Sequence, residues 1–143
     1  MTSFQRSVVL FFELALIVIL LLTPISANNV VYRAISKRDK GNGRTTFYDV
    51  GTGACGETHT NDELVFALPA SMFDPSPNGN PNLNPNCGRT AIVSRKVGRV
   101  TKKVKVTCVD RCVGCKYGDI DLSPKIAKLG EGRVEVTIDF QCD

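Results

Sequence analysis

The cysteines carry the most chemistry in this sequence. There are six, Cys55, Cys87, Cys108, Cys112, Cys115 and Cys142, in 143 residues. Cys112-Val113-Gly114-Cys115 has the spacing of two metal ligands. A structural zinc site needs four donors, and here there is no second CxxC. The only histidine, His59, sits far away in a polar loop. An even count in a small secreted domain reads instead as a disulfide framework, each bridge contributing about 2–4 kcal/mol. No metal or cofactor is expected. The Gly-rich segment Gly51–Gly56 lacks the GxxxxGK[ST] pattern and the helix that would follow it, so it is not a phosphate cradle. Two carboxylates have local structural uses beside any chemical one. Asp110 follows a strand and can bond turn backbone; Asp121 precedes Leu122-Ser123-Pro124, where a helix dipole favours a negative charge.

The setting of these residues follows from the N-terminal end. Met1–Ser7 carries one Arg, Val8–Leu22 is almost unbroken apolar, and Ile25-Ser26-Ala27 offers a small residue for cleavage. That is the layout of a secretory signal peptide. The run of about 15 apolar residues falls short of the ~20 needed to span a bilayer, although Glu13 weakens both readings. The expected organisation is a signal peptide over 1–27, a linker or propeptide over 28–43 and one domain over 44–143, secreted and extracellular. Lys37-Arg38 is either a dibasic processing site or a pair of solvated charges. The formal charge of +4 shrinks once these segments are removed: from Asp39 onward 14 basic residues face 13 acidic ones. A global argument for nucleic-acid binding therefore fails. One local cluster survives, Arg95, Lys96, Arg99, Lys102, Lys103 and Lys105.

The elements that must position these groups are mostly strands. Arg44–Val50 is rich in Thr and aromatics, and Leu64–Leu68 is a short apolar run. Thr90–Ser94 and Val100–Val109 read as strands joined by a turn at Gly98. Val104, Val106 and Cys108 alternate with Lys103, Lys105 and Thr107, the period of a half-buried strand. Arg133–Phe140 alternates most cleanly, with Val134, Val136, Ile138 and Phe140 inward. Met72–Cys87 holds four prolines and five asparagines and reads as an irregular surface loop. Ser123 and Pro124 open the one convincing helix, which Gly130 ends. Many short strands and one short helix predict a small all-β closed barrel.

Three segments, in order, resemble the loosenins, single-domain expansin-like proteins. They are Thr46-Phe47-Tyr48-Asp49-Val50-Gly51-Thr52-Gly53-Ala54-Cys55-Gly56, Asn84-Pro85-Asn86-Cys87-Gly88-Arg89, and Val106–Pro124 with its Val-Asp-x-Cys and Leu-Ser-Pro elements. The match covers Thr45 to Phe140. It implies a six-stranded double-psi β-barrel, the fold shared by expansins, barwin-like proteins, rare lipoprotein A, a group of inverting endoglucanases and a papain inhibitor. It also implies a Cys55–Cys87 bridge and suggests Cys108 with Cys142 and Cys112 with Cys115, while the sequence alone leaves 15 connectivities open.

The same resemblance implies a shallow polysaccharide-binding groove lined by Thr46, Tyr48, Asp110 and Asp121, with Tyr117 as a further stacking platform. Arg111 stands beside it. Inverting hydrolysis requires two carboxyls about 6.5–9.5 Å apart. Asp121 matches the acid of the related endoglucanases. Their base falls on Asp49 in one strand register and on Val50 in the other. The spacing from Tyr48 to the Gly-rich loop selects the second, turning Asp49 away. Asp110 could still serve as the base, but the resemblance implies that expansins carry this Asp without acting as hydrolases, so a non-hydrolytic protein that loosens cellulose or chitin is expected. Full expansins carry a second, aromatic-bearing domain; this sequence ends at Asp143 without any Trp, so weak affinity is expected. The competing reading is a protein-binding module, such as a cysteine-protease inhibitor or a secreted effector, with inhibition acting through the loop Asp74–Asn86. The expected state is a monomer binding neither nucleic acid nor, after cleavage, membrane. A lesser reading has the basic hairpin Arg95–Lys105 binding acidic polymers such as pectin, against a plain solvated strand face.

Overall fold

A computed structural model describes residues 41–130 and 132–141. The signal peptide, nearly all of the linker, and Cys142 lie outside the described residues. Six strands form a closed barrel in the order β1-β5-β2-β4-β3-β6, with β6 returning to β1. They are β1 (Gly41–Phe47), β2 (Val65–Pro69), β3 (Thr90–Val97), β4 (Val100–Cys112), β5 (Ile120–Leu122) and β6 (Val134–Gln141). The pairs β1/β5 and β2/β4 are parallel and the other four antiparallel. Closure leaves no open sheet edge, which removes the pairing hazard of exposed strands.

Alternation builds the interior. In β6, Val134, Val136, Ile138 and Phe140 are buried while Glu135 is exposed and Thr137 and Asp139 are half-buried. Val104, Val106 and Cys108 do the same from β4, and Ala91 and Val93 from β3. Every residue of β2 is buried, since one face meets the core and loops cover the other. Phe66 and Phe140 meet inside with ring centroids 6.4 Å apart and tilted planes. The β3–β4 hairpin reverses at Gly98, whose φ of +60° is the left-handed region that favours glycine. Gly43 is required for a different reason: a Cβ there would sit 1.9 Å from the Gly118 carbonyl oxygen, so β1 and the loop before β5 touch through backbone.

Several expectations shift. The first strand begins at Gly41 rather than Arg44, because residues 41–45 pair with β6. The helix expected after Ser123 is a 3₁₀ helix, Pro124–Leu129. Ser123 does not cap it with its side chain; the hydroxyl donates to the Glu63 carbonyl instead. Asp121 lies on strand β5, not at a helix start. The Pro- and Asn-rich loop is far from irregular. It opens with a one-turn helix α1 (Ala70–Phe73) and continues through 3₁₀ turns at Pro77–Gly79 and Pro81–Leu83. Asn84 and Asn86 are buried there, their side-chain amides donating to the Phe73 and Met72 carbonyls.

Cys55 bridges Cys87 and Cys112 bridges Cys115. Among the described residues Cys108 is a free, buried thiol; Cys142, the partner expected for it, lies outside the described residues. Cys108 points into the core.

Candidate functional site

The site begins with a parallel strand pair. Thr46 of β1 and Asp121 of β5 are register partners. Thr45 is fully buried, as are Ile120 and Leu122. Alternation therefore turns Thr46 and Asp121 to the outer wall of the barrel. Thr46 Oγ1 donates to Asp121 Oδ1 at 2.7 Å. On the other side β5 pairs with β2, placing Ala67 opposite Asp121, so a small side chain keeps the carboxylate uncrowded.

Around this pair lies a pocket of about 270 Å³, lined by Arg44, Thr46, Asp119, Asp121, Arg133 and the Cys112–Cys115 bridge with Gly114. The sequence reading missed Arg44, Asp119 and Arg133. Asp119 accepts from the Arg44 backbone N–H at 2.9 Å and from its guanidinium at 3.1 Å, one bond on each oxygen. Both carboxylate oxygens are thus engaged. The signal available in sequence was the two-residue spacing of Asp119 and Asp121, which puts both on one side of an extended chain. The disulfide supplies a wall: its two sulfurs and an Asp121 oxygen all lie within 4.8 Å of one another. With both sulfurs bonded to each other they are not thiolate donors, and the trio is no metal centre in this form.

The remaining expected residues divide. Tyr48 follows Thr46 by two, and its N–H donates to the Leu122 carbonyl at 3.1 Å. Its hydroxyl is buried and without a hydrogen-bond partner among the described residues. Burial, then the Asp110 and Asp121 charges, push its ionisation well above the usual tyrosine range. The hydroxyl therefore lies beneath the wall rather than on it. Asp110 is a loop anchor: Oδ1 accepts from the Ala54 N–H at 2.8 Å and the Arg111 N–H at 2.7 Å. It holds the Gly-rich loop against β4, where Gly53 approaches so closely that a Cβ would fall 2.2 Å from the Val109 carbonyl oxygen. Asp110 does not line the pocket around Asp121. Tyr117 is 63% exposed in the loop before β5.

Arg111 forks onto Asp74, with Nε 2.9 Å from each carboxylate oxygen and the second guanidinium nitrogen also bonded. It pins the start of the Pro/Asn loop to the end of β4 and is absent from the pocket. Asp49 lies beyond the end of β1 in an exposed stretch and accepts from Asn61 at 3.2 Å. His59 is bonded to Glu63 at 2.9 Å in a neighbouring loop; that bond, with the Thr60 N–H, holds the Glu63 carboxyl below its ordinary range.

No family model matches the chain. An allergen Asp f 7 homolog from Arthroderma benhamiae is 40% identical over 82 residues, 57% of this chain and 26% of that protein, so the chain spans about a quarter of that relative's length. Among solved structures, a Streptomyces papain inhibitor is 32% identical, with a TM-score of 0.61 covering 72% of this chain and 94% of the inhibitor. A Clavibacter michiganensis expansin mutant in complex with cellohexaose superposes with a TM-score of 0.58 at 22% identity, over 73% of this chain and 51% of the expansin. The closed six-stranded barrel and these likenesses agree, and the chain belongs to the expansin-like, barwin-like family of double-psi β-barrel proteins.

Proposed function

We propose that this chain is a secreted wall-polysaccharide-binding protein that loosens polymer packing without cutting it, with Thr46 and Asp121 at the centre of its groove. The observation that carries this reading is the polar pocket over β1 and β5. There the Asp121 carboxylate, oriented by Thr46, faces outward beside Arg44 and Arg133. Fixed acceptors and forked donors of this kind read sugar hydroxyls, and the exposed ring of Tyr117 offers a stacking face close by in sequence. The other carboxylates support a non-hydrolytic role. Asp119 is held through both oxygens by Arg44, Asp110 binds loop backbone, and Asp49 bonds Asn61 outside the pocket. An inverting hydrolase needs a second carboxylate poised to activate water.

The test is co-sedimentation with swollen cellulose and with insoluble chitin, with soluble sugar measured in the supernatant. Binding to at least one polymer without sugar release is expected, about tenfold weaker in Asp121→Asn. Sugar release lost in Asp121→Asn would overturn the non-hydrolytic reading. Absence of binding to both polymers would overturn the reading as a whole.

The papain inhibitor, at 32% identity over 94% of its length, favours a second reading, a protein-binding module acting through the loop Asp74–Asn86. Arg111 on Asp74, the Asn84 amide on Ser76 Oγ at 2.9 Å and the Cys55–Cys87 bridge stiffen that loop. It presents Leu83 at 55% exposure. A preorganised loop loses little entropy on docking. Papain inhibition abolished by Leu83→Asp is the expected signature of this reading, and full papain activity at a large excess of the protein would remove it.

A further inference from the structure

Charge is segregated in this domain. From Arg89 to Val109 the chain carries seven basic side chains and no acidic one. The rest of residues 41–143 carries six basic and twelve acidic. The basic run is the β3–β4 hairpin. Val93, Val104 and Val106 point inward from it, so Lys96, Lys103 and Lys105 share the outer face, all exposed.

That face continues into a concavity of about 780 Å³ crossing β1, β6 and β3. Arg44, Arg95, Lys96 and Arg133 bring cations to it from all sides; Ser94 and Thr137 add neutral hydroxyls, and Asp119 and Glu135 are its acids. The Asp119 charge is offset by Arg44 at 3.1 Å. Arg95 is fixed by donation to the Leu129 carbonyl at 2.6 Å, which holds one wall rigid. Arg44, Asp119 and Arg133 also line the smaller pocket at Asp121, so the two depressions share a wall.

We propose that this concavity, with the outward lysines of the hairpin, is a second binding site that takes a carboxylate-bearing polysaccharide chain, a polyuronate. Its chemistry is a row of cations interspersed with hydroxyls, matching a polymer of carboxylates and hydroxyls. Single-stranded nucleic acid is disfavoured because binding it draws on aromatic stacking platforms, and there is no aromatic residue from Asp74 to Lys116. A bilayer is disfavoured because the cations line a hollow, which a chain enters and a flat surface does not. Exposed Val97 and Val100 at the hairpin tip make anionic vesicles a necessary comparison.

The experiment measures retention on immobilised polygalacturonate, fully methyl-esterified pectin, single-stranded DNA, and phosphatidylserine vesicles, with swollen cellulose in parallel. Polygalacturonate is expected to retain the protein at low ionic strength and to release it at about 0.5 M salt, where screening is strong. The triple variant Lys96→Gln, Lys103→Gln, Arg133→Gln should bind about tenfold more weakly, and Asp121→Asn should bind like the parent. If the triple variant loses its native circular dichroism, Lys103→Gln and Arg133→Gln are read singly, each weakening retention about twofold. Equal retention on methyl-esterified pectin, unchanged affinity of the charge variants, or a preference for DNA or vesicles overturns the proposal. The cellulose arm separates the two sites. Loss there with polyuronate binding intact refutes the Asp121 groove alone, and the converse refutes only this second site.

Discussion

Thr46 and Asp121, 75 residues apart in sequence, are register partners across the parallel β1/β5 pair and share a 2.7 Å hydrogen bond from Thr46 Oγ1 to Asp121 Oδ1. The bond orients the one pocket carboxylate to which no Arg is bonded within the pocket. It also ties the shortest strand of the barrel to its neighbour by a side chain.

The first prediction separates those two roles. Thr46→Val removes the donor and should lower stability by about 1 kcal/mol, a hydrogen bond to a charged group discounted for partial exposure. Asp121→Asn keeps an oxygen that can accept from Thr46, so its stability should stay within about 0.5 kcal/mol of the parent even as polysaccharide binding falls. Urea denaturation of both variants decides it. Equal destabilisation by the two would mean that Asp121 is retained for the fold.

A second prediction concerns Asp110. Its Oδ1 accepts from the Ala54 and Arg111 N–H groups, so Asp110→Ala leaves two backbone donors of a loop–strand junction unpaired. The expected cost is about 2–3 kcal/mol. Amide exchange should accelerate around Gly53 to Cys55 before it does in β6. Asp110→Asn, which retains the acceptor, should recover most of the loss. If Asp110→Ala is as stable as the parent and defective in polysaccharide binding, Asp110 belongs to the groove after all.

A third prediction is the alkaline limb of stability. Burial pushes the Cys108 thiol from its ordinary value of 9.0 to about 12. Between those values the unfolded chain has released the proton and the folded chain keeps it. The unfolded state then binds fewer protons, so stability falls as pH rises, by about 1.4 kcal/mol per unit from this group. Tyr48, raised in the same direction chiefly by burial, steepens the fall above its unfolded value of 10.0. Stability measured from pH 8 to 11 should decline, and Cys108→Ala with Tyr48→Phe should flatten the curve relative to its own value at pH 8. A decline of unchanged slope in that variant would assign the alkaline loss elsewhere. The native thiol should likewise resist alkylation at pH 8 and react once unfolded.

What was legible in the sequence was local. β6 and the inner half of β4 announce themselves by alternation, because a strand with one face on the core writes its burial into every second residue. Gly98 marks its turn, and Pro124 the start of its helix. β5 was not legible: three residues, Ile120–Leu122, have too little length for a period, and their strand state comes from pairing with β1 and β2, far away in the chain. Asp121 was found through a resemblance, while its neighbours Arg44 and Asp119 were not, since their contact joins positions 75 apart. Asn84 and Asn86 misled in the other direction. Asparagine in a Pro-rich stretch reads as solvated turn, yet here buried amides satisfy carbonyls of Phe73 and Met72 and organise the loop from within. Cys108 counted toward an even total, yet among the described residues it stands as a free thiol in the core.

The last prediction weighs the two bridges against each other. Cys55–Cys87 has a sequence separation of 32 and Cys112–Cys115 one of 3. If cross-links act by restricting the unfolded chain, the long loop is worth about 3.5–4 kcal/mol and the short one about 2. The long bridge also sits where Cys55 and Cys87 pack against the core and fastens the Gly-rich loop to the end of the Pro/Asn loop. The short one projects its Val113 at 77% exposure, and its sulfurs wall the Asp121 pocket. The double variant Cys55→Ala, Cys87→Ala should therefore lose about twice the stability of Cys112→Ala, Cys115→Ala in urea melts. The second variant should be the one whose polysaccharide binding changes at full occupancy of the folded state. A larger stability loss from the short bridge would mean that it is a fold determinant, and that the pocket wall it provides is a by-product of where the chain needed fastening.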